Sequence, residues 1–200
     1  MRLPHISVQK KGKIMNTLDA IRSRKSVRSY NNKPVEQDKI KAIVNAGYMA
    51  AGTPLAGKRY FNVITSPELL KKISEATKNV MLKSGNDFMM RTAANPAYDP
   101  LNHAPVAVII STAKNDPAND AMLAANTACA GENMLIAAED LGLRSCYTVS
   151  PTFAFSDPSI AEACKLPEGT KARAVILFGY SDDAAPHAER PADPKEIIYV

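Results

Sequence analysis

The sequence has no tryptophan, only three cysteines and only three histidines among its 200 residues. Cys129, Cys146 and Cys164 form neither a CxxC pair nor an even set, so we expect no disulfide framework. Because the histidines are few and none is near a cysteine in sequence, the chain has little from which to build a zinc site or a hydrolytic triad. This cysteine usage favours a reducing compartment, and we expect a cytoplasmic protein.

Positive charge is concentrated at the start of the chain. The net charge is +5, and residues 1–15 contain no acidic residue but four basic ones, Arg2, Lys10, Lys11 and Lys13. The remainder is nearly neutral, with 21 basic and 20 acidic residues. These first residues are too short and too polar for a secretory signal or a transmembrane span. We interpret residues 1–15 as a disordered basic extension. The alternatives are a mitochondrial-type leader, or a nucleic-acid-binding module that uses the basic segments.

Residues 16–200 have the composition of one folded domain. Hydrophobic residues make up 46% of the sequence and charged residues 22%, and a chain of this length buries about 70% of its unfolded surface. Helical signals alternate with apolar runs such as Val106–Ile110 and Ala174–Gly179, which are typical of strands covered on both faces. This order predicts an α+β, or layered α/β, fold with helices on both sides of one sheet.

Capping signals and periodicity define the shorter elements. Asn16 followed by Asp19 predicts a short helix, with Leu18 and Ile21 as its apolar contacts. Residues 34–52 contain the signals of a second helix, and residues 60–65 alternate as a strand does. Ser66-Pro67-Glu68 starts a third helix whose apolar stripe runs to Val80, and Asp157-Pro158 starts another short helix. Residues 84–104 contain Gly85 and two prolines, so we expect an irregular loop at an active site or interface. The last residues, 197–200, are β-prone.

The longest predicted helix covers residues 118–141 and is nearly apolar all round. Such a helix is usually buried in a large core or in a subunit interface. Cys129 is therefore expected to pack in the core. Asn126, Glu132 and Asn133 interrupt the apolar surface, and they either face a ligand or have a structural role at an interface.

The segment after the first helix could bind a phosphate group. Arg24, Ser26 and Arg28 occur at alternate positions, so in an extended conformation their side chains project from one face. Guanidinium groups match phosphate oxygens through paired, charge-assisted hydrogen bonds, and a serine hydroxyl adds a compact donor. The alternative is a solvated basic turn, because basic clusters are common on protein surfaces.

Several sequence blocks, in order, resemble the nitroreductase family of flavin mononucleotide (FMN) enzymes. The first block is Ile21–Tyr30, with Arg24-Lys25-Ser26-Val27-Arg28 at its centre. The later blocks are Ala50–Pro54, Tyr60–Ile64, Gly131–Cys146, Leu166–Gly169 and Leu177–Tyr180. The resemblance spans residues 16–200. It implies a nitroreductase-like fold with a central mixed, mainly antiparallel sheet flanked by helices, and a C-terminal extension that reaches a partner subunit.

The resemblance also implies which residues hold FMN. Arg24, Lys25 and Ser26 belong to the block that binds the flavin phosphate, and Arg28 matches a basic position that reaches the phosphate or the pyrimidine edge of the ring. Arg190 matches a C-terminal arginine that closes on the phosphate. A cation near N1 would favour the reduced, negatively charged ring.

Two further segments complete the implied site. Thr148 and Val149 lie in the segment whose backbone approaches flavin N5. Thr53 and Pro54 lie in a loop that reaches the flavin of the partner subunit, so the sites would exist only in a homodimer. The family commonly has an asparagine and a Gln-Pro-Trp run in this loop, whereas this chain has Ala56 followed by Gly57-Lys58-Arg59-Tyr60.

The activity implied is ping-pong hydride transfer from NADH or NADPH through FMN to a nitroaromatic, a quinone or a similar acceptor. No side chain need act as a nucleophile, which is consistent with the scarcity of histidine, and we expect no metal. The sequence has no GxGxxG fingerprint for a separate dinucleotide site. The alternative is a flavin-binding or flavin-storage protein on the same fold without catalytic activity. Neither nucleic acid nor membrane is an expected partner.

Overall fold

The computed structural model describes residues 15–53, 57–114, 117–183 and 197–199. The helices are α1 (Thr17–Ser23), α2 (Gln37–Tyr48), α3 (Pro67–Leu82), α4 (Asp87–Ala94), α5 (Asp120–Asp140) and α6 (Pro158–Ala163), with a 3₁₀ helix at Ser150–Ser156. The strands are β1 (Tyr60–Ile64), β2 (Val106–Ala113), β3 (Arg144–Thr148) and β4 (Thr170–Gly179). None of these helices is long and apolar enough to cross a membrane.

The four strands form one sheet in the order β1-β2-β4-β3, and all three pairings are antiparallel. The segment after α1 adds a parallel bridge between Ser26 and Ser145 at the β3 edge. The family resemblance implied a mixed, mainly antiparallel sheet; the four strands described are antiparallel throughout, and the parallel pairing is limited to this isolated bridge. The irregularity between Ile110 and Ser111 shifts the β2–β4 register and leaves Arg173 as the extra residue.

Two apolar layers cover the sheet, one on each face. Helices α2 and α5 pack on one face, where Ile43, Met134 and Phe178 are fully buried or nearly so. Helix α3 and the 3₁₀ helix pack on the other, around Ile73 and Leu177. The buried runs of β2 and β4 therefore have helices on both sides, as their continuous hydrophobicity predicted.

Helix α5 has one buried face and one exposed face, which its alanine-rich sequence does not distinguish. Its buried residues include Leu123, Ala130 and Met134. The exposed residues of α5 are Asp120, Ala121, Ala124, Ala125, Ala128, Cys129 and Glu132, and we call the last six the exposed stripe of α5. The prediction that Cys129 packs in the core is wrong, because its side chain lies on this stripe; Cys146 and Cys164 are buried.

Three other expectations need correction. Residues 84–104 are not all irregular, because Asn86 accepts a hydrogen bond from the amide of Met89 at 3.0 Å and starts α4. Leu18 and Ile21 do not anchor α1, since they are 62% and 46% exposed and the helix buries Ala20 instead. Residues 197–199 are exposed and belong to no strand.

Candidate functional site

The basic segment after α1 runs in an extended conformation beside β3. The amide of Val27 donates to the carbonyl of Ser145 at 2.9 Å, and this contact fixes the segment against the sheet edge. Val27 is 1% exposed, whereas its neighbours Ser26 and Arg28 are exposed. Alternation therefore places the valine in the core and its two polar neighbours at the surface, as the spacing predicted.

Arg24 lies at the start of this segment and contacts α5. Its side chain is only 15% exposed, and its Nε lies 3.1 Å from Oε1 of Glu132. The Nε atom is buried, yet the carboxylate is not placed in line with the N–H bond, so the pair is ionic without a hydrogen bond. Arg24 is thus a nearly buried cation with unused hydrogen-bonding capacity.

Lys25 is engaged on a different side of the segment. Its Nζ lies 2.9 Å from Oδ1 of Asp183, just beyond the end of β4, and both side chains are partly buried. The sequence block that contains Arg24 and Ser26 therefore divides into two sets of contacts. Lys25 ties the segment to the residues that follow β4, whereas Arg24 contacts α5.

Arg28 places a positive charge near Cys146 of β3. Burial raises the pKa of the Cys146 thiol, and the nearby positive charge of Arg28 partly opposes that rise. Burial likewise raises the pKa of the Tyr30 hydroxyl, again with an opposing contribution from Arg28. The exposed guanidinium therefore acts electrostatically on the strand edge that the basic segment follows.

The end of β3 opens on a groove of about 990 Å³. Tyr147, Val149, Thr152 and Phe153 are among its lining residues, and Val149 is 50% exposed. Tyr147 is held close to α5, because a Cβ on Gly131 would lie 2.5 Å from its ring. The groove has the size of a small-molecule site, and the expected residues Thr148 and Val149 lie at the strand end that reaches it.

Arg59 anchors the loop after α2. It belongs to the run Gly57-Lys58-Arg59-Tyr60, in which this chain departs from the family. Arg59 Nη2 donates to the carbonyl of Ala50 at 2.7 Å, and Nη1 donates to those of Ala51 and Asn126 at 3.0 and 3.1 Å. The Thr53 amide donates to Oδ1 of Asn126 at 3.3 Å. Arg59 and Asn126 together tie the loop to α5.

The structure brings together some of the expected site residues. Arg24, Ser26 and Arg28 follow the edge of β3, whose end carries Thr148. Thr53 lies apart from them, on the Asn126 side of α5. Pro54 and Arg190 lie outside the described residues. Arg59 was missed as an anchor because its acceptors are backbone carbonyls, which leave no signal in side-chain patterns.

The sequence model of the Nitroreductase family matches residues 21–180 of this chain. The chain belongs to the nitroreductase family. A relative from Methanothermobacter thermautotrophicus, provisionally named NADH dehydrogenase/NAD(P)H nitroreductase, is 25% identical over 177 residues, which cover 88% of this chain and 83% of that protein. The family resemblance read from the sequence blocks is confirmed.

Solved nitroreductase structures share this fold. A Bacteroides fragilis nitroreductase with bound FMN superposes with a TM-score of 0.82 at 26% identity, covering 93% of this chain and 99% of that one. A nitroreductase with bound FMN from Desulfitobacterium hafniense gives a TM-score of 0.80 at 19% identity, covering 93% and 99%. The predicted nitroreductase-like α+β fold is therefore confirmed.

Proposed function

We propose that this protein is an FMN-dependent oxidoreductase of the nitroreductase type. The observation that carries the proposal is the arrangement of Arg24, Ser26 and Arg28 on one extended segment beside β3. Two guanidinium groups and a hydroxyl match the oxygens of a phosphate monoester, and the buried Nε of Arg24 has no acceptor in hydrogen-bonding geometry. The residues present therefore fit the phosphate end of FMN, which the Bacteroides fragilis and Desulfitobacterium hafniense structures named above contain.

The proposed roles differ along the site. Arg24 and Ser26 would hold the phosphate, and Arg28 would contact the phosphate or the pyrimidine edge. Lys25 has the Asp183 carboxylate beside it, so we assign it an indirect role in fixing the segment. The backbone of Thr148 and Val149 would approach the ring.

The groove at the end of β3 would admit the substrates. When bound, FMN would supply the redox chemistry, which is the transfer of a hydride from NADH or NADPH and of electrons to a nitroaromatic, a quinone or a similar acceptor. The protein's own contribution is to bind and orient. The groove's volume of about 990 Å³ and its lining by Tyr147 and Phe153 suit planar ligands.

Exposed apolar surface supports the proposed homodimer. The exposed stripe of α5 is flanked by α1 and α2, which both pack on α5. Leu18 and Ile21 of α1, and Tyr48 and Met49 at the end of α2, are between 46% and 70% exposed. Large apolar side chains exposed on neighbouring helices are typical of an interaction site. The expected reach of the C-terminal segment and of the Thr53 loop to the partner belongs to the same proposal.

The phosphate site is tested by comparing FMN with riboflavin, which lacks the phosphate. Removing charged hydrogen bonds costs about 1.5–3 kcal/mol each, so Arg24→Ala should weaken FMN binding at least about tenfold and leave riboflavin binding unchanged. The matched control is Arg22→Ala, because the Arg22 side chain is 78% exposed on α1. Binding is measured by quenching of flavin fluorescence. Equal FMN affinity for the wild type and Arg24→Ala would remove the assignment.

The homodimer is tested by placing a charge on the stripe. Ala125→Arg should convert the dimer to a monomer in sedimentation experiments, because a charge buried at an interface is costly. Ala97→Arg, on an exposed loop, is the control and should stay dimeric. The thiol of Cys129 should react faster in the monomeric variant. A wild-type protein that sediments as a monomer would contradict the proposal.

A further inference from the structure

We propose that Glu132 is a positioning residue that orients the guanidinium of Arg24 for the phosphate of FMN. The inference rests on the proposed function and deepens it, because it adds a residue of α5 that would not itself touch the ligand. Its basis is the single ionic contact between the Arg24 side chain and Glu132. Among the described residues, Arg24 has no second ion-pair partner.

Glu132 contacts the inner end of the Arg24 guanidinium. Oε1 of Glu132 lies 3.1 Å from Nε of Arg24, so the carboxylate approaches the guanidinium from its inner side. A guanidinium has five N–H donors in one plane, and a contact at Nε leaves the outer pair of nitrogens available. That outer pair is the fork that binds phosphate in a bidentate manner. Because the carboxylate forms no hydrogen bond with Nε–H, the ion pair restrains Arg24 and leaves both the outer nitrogens and Nε–H available to a phosphate.

Glu132 lies on the surface of α5. It is the charged end of the exposed stripe of α5, whose other members are four alanines and Cys129. Its side chain is 49% exposed, while that of Arg24 is only 15% exposed. A nearly buried cation needs a counter-charge, and Glu132 supplies it from a helix that is fixed in the core. The pair thus links the phosphate segment to α5.

Two effects of the Glu132 carboxylate on FMN oppose each other. Its negative charge repels the phosphate, whereas restraint of Arg24 reduces the side-chain ordering that binding requires. The positive charge of Arg24, 3.1 Å from the carboxylate, offsets much of this repulsion. We therefore expect the restraint to dominate, and the loss of Glu132 to weaken FMN binding.

The test measures FMN and riboflavin affinities for Glu132→Ala and for the isosteric Glu132→Gln. We expect FMN binding to weaken about three- to tenfold in Glu132→Ala, which corresponds to the ordering of one long side chain. Riboflavin binding should stay the same, and Glu132→Gln should be intermediate because its amide oxygen can still contact Nε. Glu75→Gln is the control, since Glu75 is exposed on α3 and far along the chain from this site.

A double-mutant cycle separates positioning from a general structural role. In an Arg24→Ala background, Glu132→Ala should have no further effect on FMN affinity, because the residue through which Glu132 acts is gone. Unchanged or tighter FMN binding in the Glu132 variants would overturn the inference, and so would an equal loss of riboflavin binding. A wild-type protein that binds neither flavin would instead refute the proposed function.

Discussion

The Arg59 anchor gives the sharpest stability prediction. The guanidinium donates to the carbonyls of Ala50, Ala51 and Asn126 at 2.7–3.1 Å, and to that of Tyr48 at 3.4 Å. Hydrogen bonds from a charged donor contribute about 1.5–3 kcal/mol each when buried, but Arg59 is only half-buried and water replaces part of what is lost. We therefore expect Arg59→Ala to lower the free energy of unfolding by about 2 kcal/mol in total.

The assay is thermal unfolding followed by circular dichroism. For a chain of this length, 1 kcal/mol shifts Tm by about 2–4 °C, so Arg59→Ala should lower Tm by about 4–8 °C. Arg59→Lys should recover less than half of the loss, because an ammonium group lacks the fork that reaches several carbonyls. Lys58→Ala is the control, since Lys58 is exposed and adjacent. A Tm for Arg59→Ala within about 1 °C of the wild type would refute the reasoning.

Two further predictions concern α5 and its contacts. Gly131→Ala should lower the free energy of unfolding by about 1 kcal/mol or more, because the added Cβ would lie 2.5 Å from the rigid ring of Tyr147. Gly47→Ala should lower it by less, because its Cβ would meet the flexible side chain of Met134. Both values are measured by chemical denaturation. Arg173 donates a hydrogen bond to the Asp120 carboxylate and holds the pKa of that carboxyl below its usual value of 3.8. The contribution of this pair to stability is therefore present above pH 3.8 and is lost as pH falls through the lower folded-state pKa. Asp120→Asn should therefore be less stable than the wild type at neutral pH, and the difference in stability should disappear as pH falls below the folded-state pKa of Asp120. A difference that is independent of pH would contradict this.

Much of the fold could be predicted because its signals are local. The β-branched run in Val106–Ile110 identifies a strand covered on both faces without reference to any other part of the chain. Helix α4 was not predicted, because the glycine and the two prolines of residues 84–104 indicated a loop. The cap that starts this helix is the side chain of Asn86. The orientation of α5 could not be predicted, since a helix rich in alanine has little periodicity and tertiary contacts decide which face is buried.

The candidate site was only partly predictable, for a related reason. The alternation of Arg24, Ser26 and Arg28 is a local pattern, and the structure keeps it. The Arg59 contacts and the Arg24–Glu132 pair join residues far apart in sequence, and no spacing rule indicates them. Lys25 shows the converse, because its sequence position suggests the phosphate site while its side chain pairs with Asp183.

The proposed function requires that this chain bind FMN and pass electrons from a reduced nicotinamide through it. The most direct measurement is the visible absorption spectrum of the purified protein, reconstituted with FMN, before and after anaerobic addition of NADH or NADPH. We predict the spectrum of bound oxidised flavin at first, its bleaching by one of the two nicotinamides, and its return on addition of a quinone or nitroaromatic acceptor. A protein that binds no FMN would contradict the account, and a yellow protein that neither nicotinamide bleaches would indicate flavin storage instead of catalysis.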